Sequence, residues 1–285
     1  MRAATIAVVH AELSVAEGER RFAKSLASHV QRWYTEAGVA SDLIADSALS
    51  VSSAYKLVVL VDCYRPPKSV VNAVQQQLAR GTRFVVCYSA SPELAALFGL
   101  KPETYKRDDS GKWSSMAFGA QKPNGAPMSV LQTSTNLFTV TATRADTKPL
   151  AWWCDRAGKR TDVAWWRTAR GSYWMTHVLS GDGDEAGKQR LLLAIAAESD
   201  PNVWNQAARY LYADVLKPLN DGSLQQRYRA LPKSSARRKQ IDSAFAYLRK
   251  LQAMAQAALE KKSGYVAYQT VCDLRDCVDR TYGMT

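Results

Sequence analysis

Two stretches decide how this chain folds: Lys56-Leu57-Val58-Val59-Leu60-Val61-Asp62 and Arg83-Phe84-Val85-Val86-Cys87-Tyr88. Each is an unbroken apolar run that ends in a polar residue. A half-exposed strand would alternate, so these runs read as strands buried on both faces. Between them Pro66-Pro67 opens a segment with apolar residues at Val70, Val71, Val74 and Leu78, and Gly81 closes it. That spacing is helical. Strand, amphipathic helix and strand make a parallel β-α-β unit with a right-handed crossover.

The same alternation extends outward. Residues 4–10 form another apolar run ending at His10, and residues 17–37 repeat apolar positions at Phe22, Leu26, Val30, Trp33 and Ala37 until Gly38 stops the helix. A short strand follows over 39–45, and on the far side Ser91-Pro92-Glu93 caps a short helix that ends at Gly99. The first hundred residues therefore predict an α/β fold with a doubly wound, flavodoxin-like, mostly parallel sheet covered on both sides. From Lys101 to about Leu179 the pattern changes to short strands broken by turns such as Lys122-Pro123-Asn124-Gly125. This predicts an antiparallel extension whose last part (150–154, 163–167, 172–179) is spaced like a three-stranded meander. A helix over 185–198 closes the domain near Trp204.

Beyond Trp204 the chain is rich in Ala, Gln, Arg and Lys. Ile241, Phe245, Leu248, Leu251, Ala255 and Leu259 form one helical stripe, Ala267, Val271, Leu274 and Val278 another, and Ser263-Gly264 separates them. The expected organisation is an α/β domain over 1–204 and a C-terminal helical hairpin over 205–285. The chain's 285 residues carry a formal charge of +12, and residues 205–285 hold 14 Lys and Arg against 7 Asp and Glu. Basic clusters such as Arg237-Arg238-Lys239 on an amphipathic hairpin read as a solvated helical face, and nucleic acid is not the expected partner.

Several function classes find no support. No G-x-x-x-x-G-K-[ST] occurs and no G-x-G-x-x-G follows the first strand. Gly181-Asp182-Gly183-Asp184 lacks the twelve-position pattern of a calcium loop. The five cysteines (Cys63, Cys87, Cys154, Cys272, Cys277) show neither a C-x-x-C nor a Cys/His cluster. No metal or cofactor is expected. No apolar run reaches 18 residues, and Met1-Arg2-Ala3 leads into the first strand without the regions of a signal peptide.

In a doubly wound sheet ligands bind outside the carboxyl ends of the strands. The candidate site residues are therefore His10 and Glu12 after the first strand, Asp62, Tyr64 and Arg65 after the third, and Tyr88, Ser89 and Ser91 after the fourth, with His177 in the last strand as a further candidate. A nucleophile elbow would need a serine or cysteine on a glycine-flanked turn. Here the turn reads Cys87-Tyr88-Ser89-Ala90-Ser91-Pro92 without glycine. Cys87 lies too deep in its strand and Ser91 precedes a proline that has no N–H for an oxyanion hole. Ser89, with His177 as base, is the alternative enzymatic reading: a serine amidase or esterase. Six of the eight tryptophans fall in the antiparallel part, with Trp152-Trp153 and Trp165-Trp166 adjacent. Neighbours in a strand face opposite sides, so one ring of each pair is expected to look outward, as a platform for a sugar or another domain.

The order of these features resembles the class I glutamine amidotransferase-like domains. The residues that carry the likeness are Thr5 to His10, Leu57 to Asp62, Phe84 to Leu100 with its Ser91-Pro92-Glu93 cap, and Gly171-Ser172-Tyr173-Trp174-Met175-Thr176-His177-Val178-Leu179 before a helix. More narrowly the chain is similar to the non-catalytic version found ahead of the barrel in bacterial family-10-like glycosyl hydrolases. The enzymatic relatives carry a cysteine in a glycine elbow and a His-x-Glu, and this sequence departs from both. The resemblance implies a non-catalytic accessory module, serving glycan binding or domain assembly, in a bacterial carbohydrate-active glycosyl hydrolase. Its partners would be a C-terminal hydrolase domain outside this chain and a carbohydrate ligand. Localisation by signal is not readable; the resemblance implies the periplasm or secretion. An interaction scaffold built on the basic arm is a further alternative.

Overall fold

The computed structural model describes residues 4–49, 55–230 and 236–284, so Met1 to Ala3, where a leader was sought, lie outside the described residues. The chain divides into two compact units: Met1–Glu36 with Ala40–Asp200, and Ala37–Val39 with Pro201–Thr285.

The first unit holds strands β1 (Ile6–His10), β2 (Ser41–Ala45), β3 (Leu57–Leu60), β4 (Arg83–Cys87), β5 (Leu100–Arg107), β6 (Trp113–Phe118), β7 (Ser129–Ser134), β8 (Asn136–Ala142), β9 (Lys148–Cys154), β10 (Arg160–Arg167) and β11 (Tyr173–Met175). Its helices are α1 (Arg20–Glu36), α2 (Lys68–Ala79), α3 (Pro92–Leu97) and α4 (Glu185–Ser199). Nine strands form one sheet in the order β2-β1-β3-β4-β11-β10-β9-β6-β7, while β5 and β8 pair as a separate ribbon. Pairing is parallel from β2 to β11 and antiparallel from β11 to β7. The meander β9-β10-β11 is thus present, and its last strand enters the parallel sheet beside β4, matching Tyr173 with Val85 and Met175 with Cys87.

Strand alternation assigns the faces. Val58 and Leu60 of β3 and Phe84 and Val86 of β4 share an apolar cluster with Val70, Val74 and Leu78 of α2 and Leu94 of α3. On α1, Leu26, Val30 and Trp33 are buried as their spacing predicts. Phe22 is not: it is 61% exposed. A right-handed crossover brings the first turn of α1 to the carboxyl ends of the strands, where its side chains overhang the sheet.

Of the two adjacent tryptophan pairs in the extension, Trp152-Trp153 turns one ring toward the surface as expected and Trp165-Trp166 does not. Trp165 and Trp166 are both buried, as is Trp153, and Trp152, partly exposed, is covered by the Arg160 guanidinium 4.4 Å from its ring centre. The reason is that the extension continues the central sheet. Trp166 and Trp174 share the cluster of α2 and α3 with Val140 of the β5–β8 ribbon, so the face expected to meet solvent is roofed.

The second unit contains α5 (Asn202–Val215), α6 (Lys217–Asn220), α7 (Ser223–Ala230), α8 (Ala236–Glu260) and α9 (Tyr265–Met284). The expected hairpin is α8 and α9, parted near Gly264, whose φ of 58° suits glycine. It is not alone: Ala208 and Val215 of α5 and Leu224 of α7 join the two stripes in one core. Trp204 packs in this unit, its ring 5.1 Å from that of Tyr265 and 4.9 Å from that of Tyr268. Among the described residues no helix is long and apolar enough to cross a membrane.

Candidate functional site

The chain leaves the sheet in opposite directions from β1 and β3, the switch point at which doubly wound folds open a crevice. A cleft of about 610 Å³ lies there, within the roughly 300–1,000 Å³ of small-molecule pockets. Asp62, Tyr64 and Arg65 reach it from the end of β3, Tyr88 from the end of β4, and His177 from the end of β11. Glu19 comes from the 3-10 turn that precedes α1, Phe22 from the first turn of α1, and Tyr105, Asn136 and Phe138 from the ribbon that forms the far wall.

Backbone bonds stitch this rim together. The Asp46 carboxylate accepts the N–H groups of Glu12, Leu13 and Ser14 at 2.9–3.0 Å and the Ser14 hydroxyl at 2.6 Å. It thereby fixes the turn after β1, and the Arg65 N–H donates back to the Ser14 carbonyl at 2.9 Å. The Ala90 N–H donates to the Tyr64 carbonyl (2.9 Å), the Tyr88 N–H to Met175 (3.0 Å), and the Phe138 N–H to Thr176 (3.0 Å). Three strand ends and the ribbon are therefore held in one register.

The turn after β4 is the strained point. Tyr88 has φ 52°, the left-handed region, which costs a non-glycine residue roughly 1–2 kcal/mol. This is where an elbow nucleophile would stand, and a phenol occupies it. The sequence weighed Cys87, Ser89 and Ser91 for that place. Cys87 is fully buried in the strand, and burial pushes its thiol far above the usual range. Ser89 is also fully buried; its hydroxyl donates to the Tyr64 carbonyl at 3.4 Å and accepts the Ser91 N–H at 3.3 Å. Ser91 caps α3, accepting the Leu94 N–H at 3.1 Å. Neither serine is among the residues lining the cleft, nor are His10 and Glu12, whose carboxylate takes the Ser47 hydroxyl.

The Tyr88 ring is held by Tyr64, Phe138 and His177, with centres 6.1, 5.1 and 5.5 Å away. His177 places Nδ1 3.0 Å from the Val178 carbonyl and 3.5 Å from Gln132 Nε2. Burial lowers its pKa to about 4, so the ring is neutral at ordinary pH, with Nδ1–H donated to the carbonyl. Asp62 is shifted the other way. Burial, reinforced by the charge of Glu19, raises its carboxyl to about 7. Its Oδ1 has no hydrogen-bond partner, and neither does the buried Oδ1 of Asn136. Among the described residues no group of three His, Cys, Asp or Glu side chains could hold a metal ion.

Sequence reasoning found the strand-end residues of this cleft and missed those on its other walls. Tyr105, Asn136 and Phe138 come from the ribbon, which no local pattern brings over the switch point. Phe22 carried a signal that pointed the wrong way, since four residues before Leu26 it continues the buried stripe.

Sheet order and the helices on both faces define a flavodoxin-like α/β fold. Solved structures that share it include a putative ThuA-like protein from Bacteroides uniformis, 12% identical with a TM-score of 0.52, covering 70% of this chain and 93% of that one. Also similar are the cold-adapted β-galactosidase from Rahnella sp. R3 (TM-score 0.53, 16% identity, 69% of this chain) and the β-galactosidase from Bacillus circulans sp. alkalophilus (TM-score 0.52, 16% identity, 68% of this chain). The chain spans 31% of the length of either β-galactosidase. At these identities the likeness is one of fold. No protein-family profile and no curated protein sequence matches the chain.

Proposed function

We propose that this chain is a non-catalytic accessory module of a bacterial carbohydrate-active protein, and that its α/β unit takes a saccharide in the switch-point cleft. The observation that carries the reading is Tyr88: the elbow keeps its left-handed backbone while a phenol, packed into an aromatic wall, stands at the nucleophile position. Aromatic faces beside unpartnered acceptors suit a ring that is apolar on one face and hydroxylated at its rim. Two β-galactosidases that contain this fold as about a third of their length support a hydrolase domain outside this chain as the partner. The helical residues 205–285 then serve as the connecting arm, and the periplasm or cell exterior is the compartment where such a protein meets its glycan.

Titration calorimetry of the chain with neutral oligosaccharides tests this. Saturable binding is expected, weakened at least about tenfold by Phe22→Ala or Tyr105→Ala, whose rings are 61% and 48% exposed and need no repacking of the core. Fluorophosphonate labelling at Ser89 would overturn the non-catalytic reading, and absence of binding to any saccharide would overturn the ligand.

A further inference from the structure

The cleft's polar groups are unequal in kind. Asp62, 8% exposed, presents an Oδ1 without a partner, and Asn136 Oδ1 is buried without one. Both are acceptors, and Glu19 at the mouth adds a second carboxylate that acts electrostatically on Asp62. On the donor side the Arg65 guanidinium lies over the Tyr64 ring, 4.9 Å from its centre. His177 directs Nδ1 to the Val178 carbonyl and carries no charge at neutral pH. The walls between these groups are the π faces of Tyr64, Tyr88, Tyr105 and Phe138, with neighbouring centres 5.1–6.1 Å apart.

The net formal charge of the lining, Glu19 and Asp62 against Arg65, is negative when Asp62 is ionised. A sugar hydroxyl can meet the unpartnered acceptors of Asp62 and Asn136 with one hydrogen bond but carries no charge to offset the carboxylates. An ammonium group donates three, accepts none, and is drawn to ring faces by their quadrupole. A carboxylate or sulfate would meet Asp62 and Glu19 with Arg65 alone to offset them.

We propose that the cleft selects a saccharide bearing a primary ammonium, an amino sugar, and seats the ammonium against Asp62 and Asn136 within the tyrosine and phenylalanine walls. This rests on the saccharide reading above and names its ligand class. The charge that acts on Asp62 is that of Glu19, and Arg65 lines the same cleft; burial raises Tyr88, Cys63 and Cys87 far above neutrality, and His177 is neutral, so the pH response of the site belongs to the Asp62 carboxyl. An ammonium ligand favours the ionised carboxylate, and its affinity rises as pH climbs toward 7.

The test is calorimetry on the full chain with four oligosaccharides of equal length: glucosamine, N-acetylglucosamine, neutral galactose and uronic acid tetramers. The glucosamine tetramer should bind at least about tenfold tighter than its acetylated form, equivalent to about 1.4 kcal/mol, and the uronic acid tetramer weakest of all. Asp62→Asn should shrink the amino-over-acetyl ratio below about threefold, and Asn136→Leu should reduce it independently, which guards against a folding defect in either variant. Equal affinity for the amino and acetylated tetramers, or a preference that Asp62→Asn leaves intact, overturns the ammonium inference while the saccharide cleft stands. Failure of all four to bind overturns the saccharide reading itself.

Discussion

Asp62 and His177 face one cleft with ionisations displaced in opposite senses, and this predicts an unusual stability profile. The Asp62 carboxyl moves from 3.8 to about 7, so the folded chain holds that proton more tightly than the unfolded chain. Its stabilising contribution is complete below pH 3.8 and is lost as pH rises to about 7. At about 1.36 kcal/mol per pH unit this amounts to about 4 kcal/mol, a ceiling because the part due to exposed Glu19 is screened by salt. His177 moves from 6.5 to about 4, so the folded chain refuses a proton that the unfolded chain accepts. Its contribution is complete above pH 6.5 and is lost as pH falls to about 4, about 3 kcal/mol in all. Between these limits the two slopes oppose and largely cancel each other. Asp62→Asn leaves the histidine slope alone: stability should climb by about 3 kcal/mol from pH 4 to 6.5, or about 6–12 °C in Tm. His177→Phe, which keeps a ring against Tyr88 and Trp153, should fall by a similar amount over the same window. Thermal unfolding followed by tryptophan fluorescence reads this directly, because every tryptophan except Trp204 belongs to the α/β unit. Parallel curves for wild type and both variants would refute the reasoning.

Three further outcomes are expected. Tyr88→Gly should be more stable than Tyr88→Ala by about 1 kcal/mol in urea, reversing the usual order of these residues, because φ is 52° there; Ala above Gly would show that the turn carries no such strain. Lys188, buried, donates to the carbonyls of Ser180 (3.0 Å) and Asp182, so Lys188→Met should orphan both, cost about 2–3 kcal/mol and speed hydrogen exchange in residues 180–184; unchanged exchange would count against it. The Ser172 hydroxyl accepts the buried Phe84 N–H at 2.9 Å, and Ser172→Ala should cost about 1–3 kcal/mol by chemical denaturation, with a cost near zero arguing against that bond.

Much of the architecture was legible in the residues because it depends on local periodicity. The runs at 57–61 and 84–87 could only be covered strands, the stripes of α2, α8 and α9 could only be amphipathic helices, and glycines 38, 81 and 99 mark turns with positive φ. The strand-end rule placed Asp62, Tyr64, Arg65 and Tyr88 at one rim; His177, which the sequence places within the last strand, lies just beyond it in the structure, and all five line the cleft. His10, Glu12, Ser89 and Ser91 obeyed the same rule and do not, because what a strand end faces depends on the next turn of chain.

The sequence by itself therefore determined the layers: buried parallel strands, the helices on them, and a helical unit with two long apolar stripes. Only the tertiary structure decided three things. It buried both tryptophans of the Trp165-Trp166 pair, because Val140 arrives on the face that alternation alone leaves open. It brought Phe22 into the open, because the first turn of α1 projects beyond the sheet that its stripe would cover. And it raised Asp62 to about 7 and lowered His177 to about 4, since desolvation is a property of what surrounds a group, and residues distant in the chain supply those surroundings.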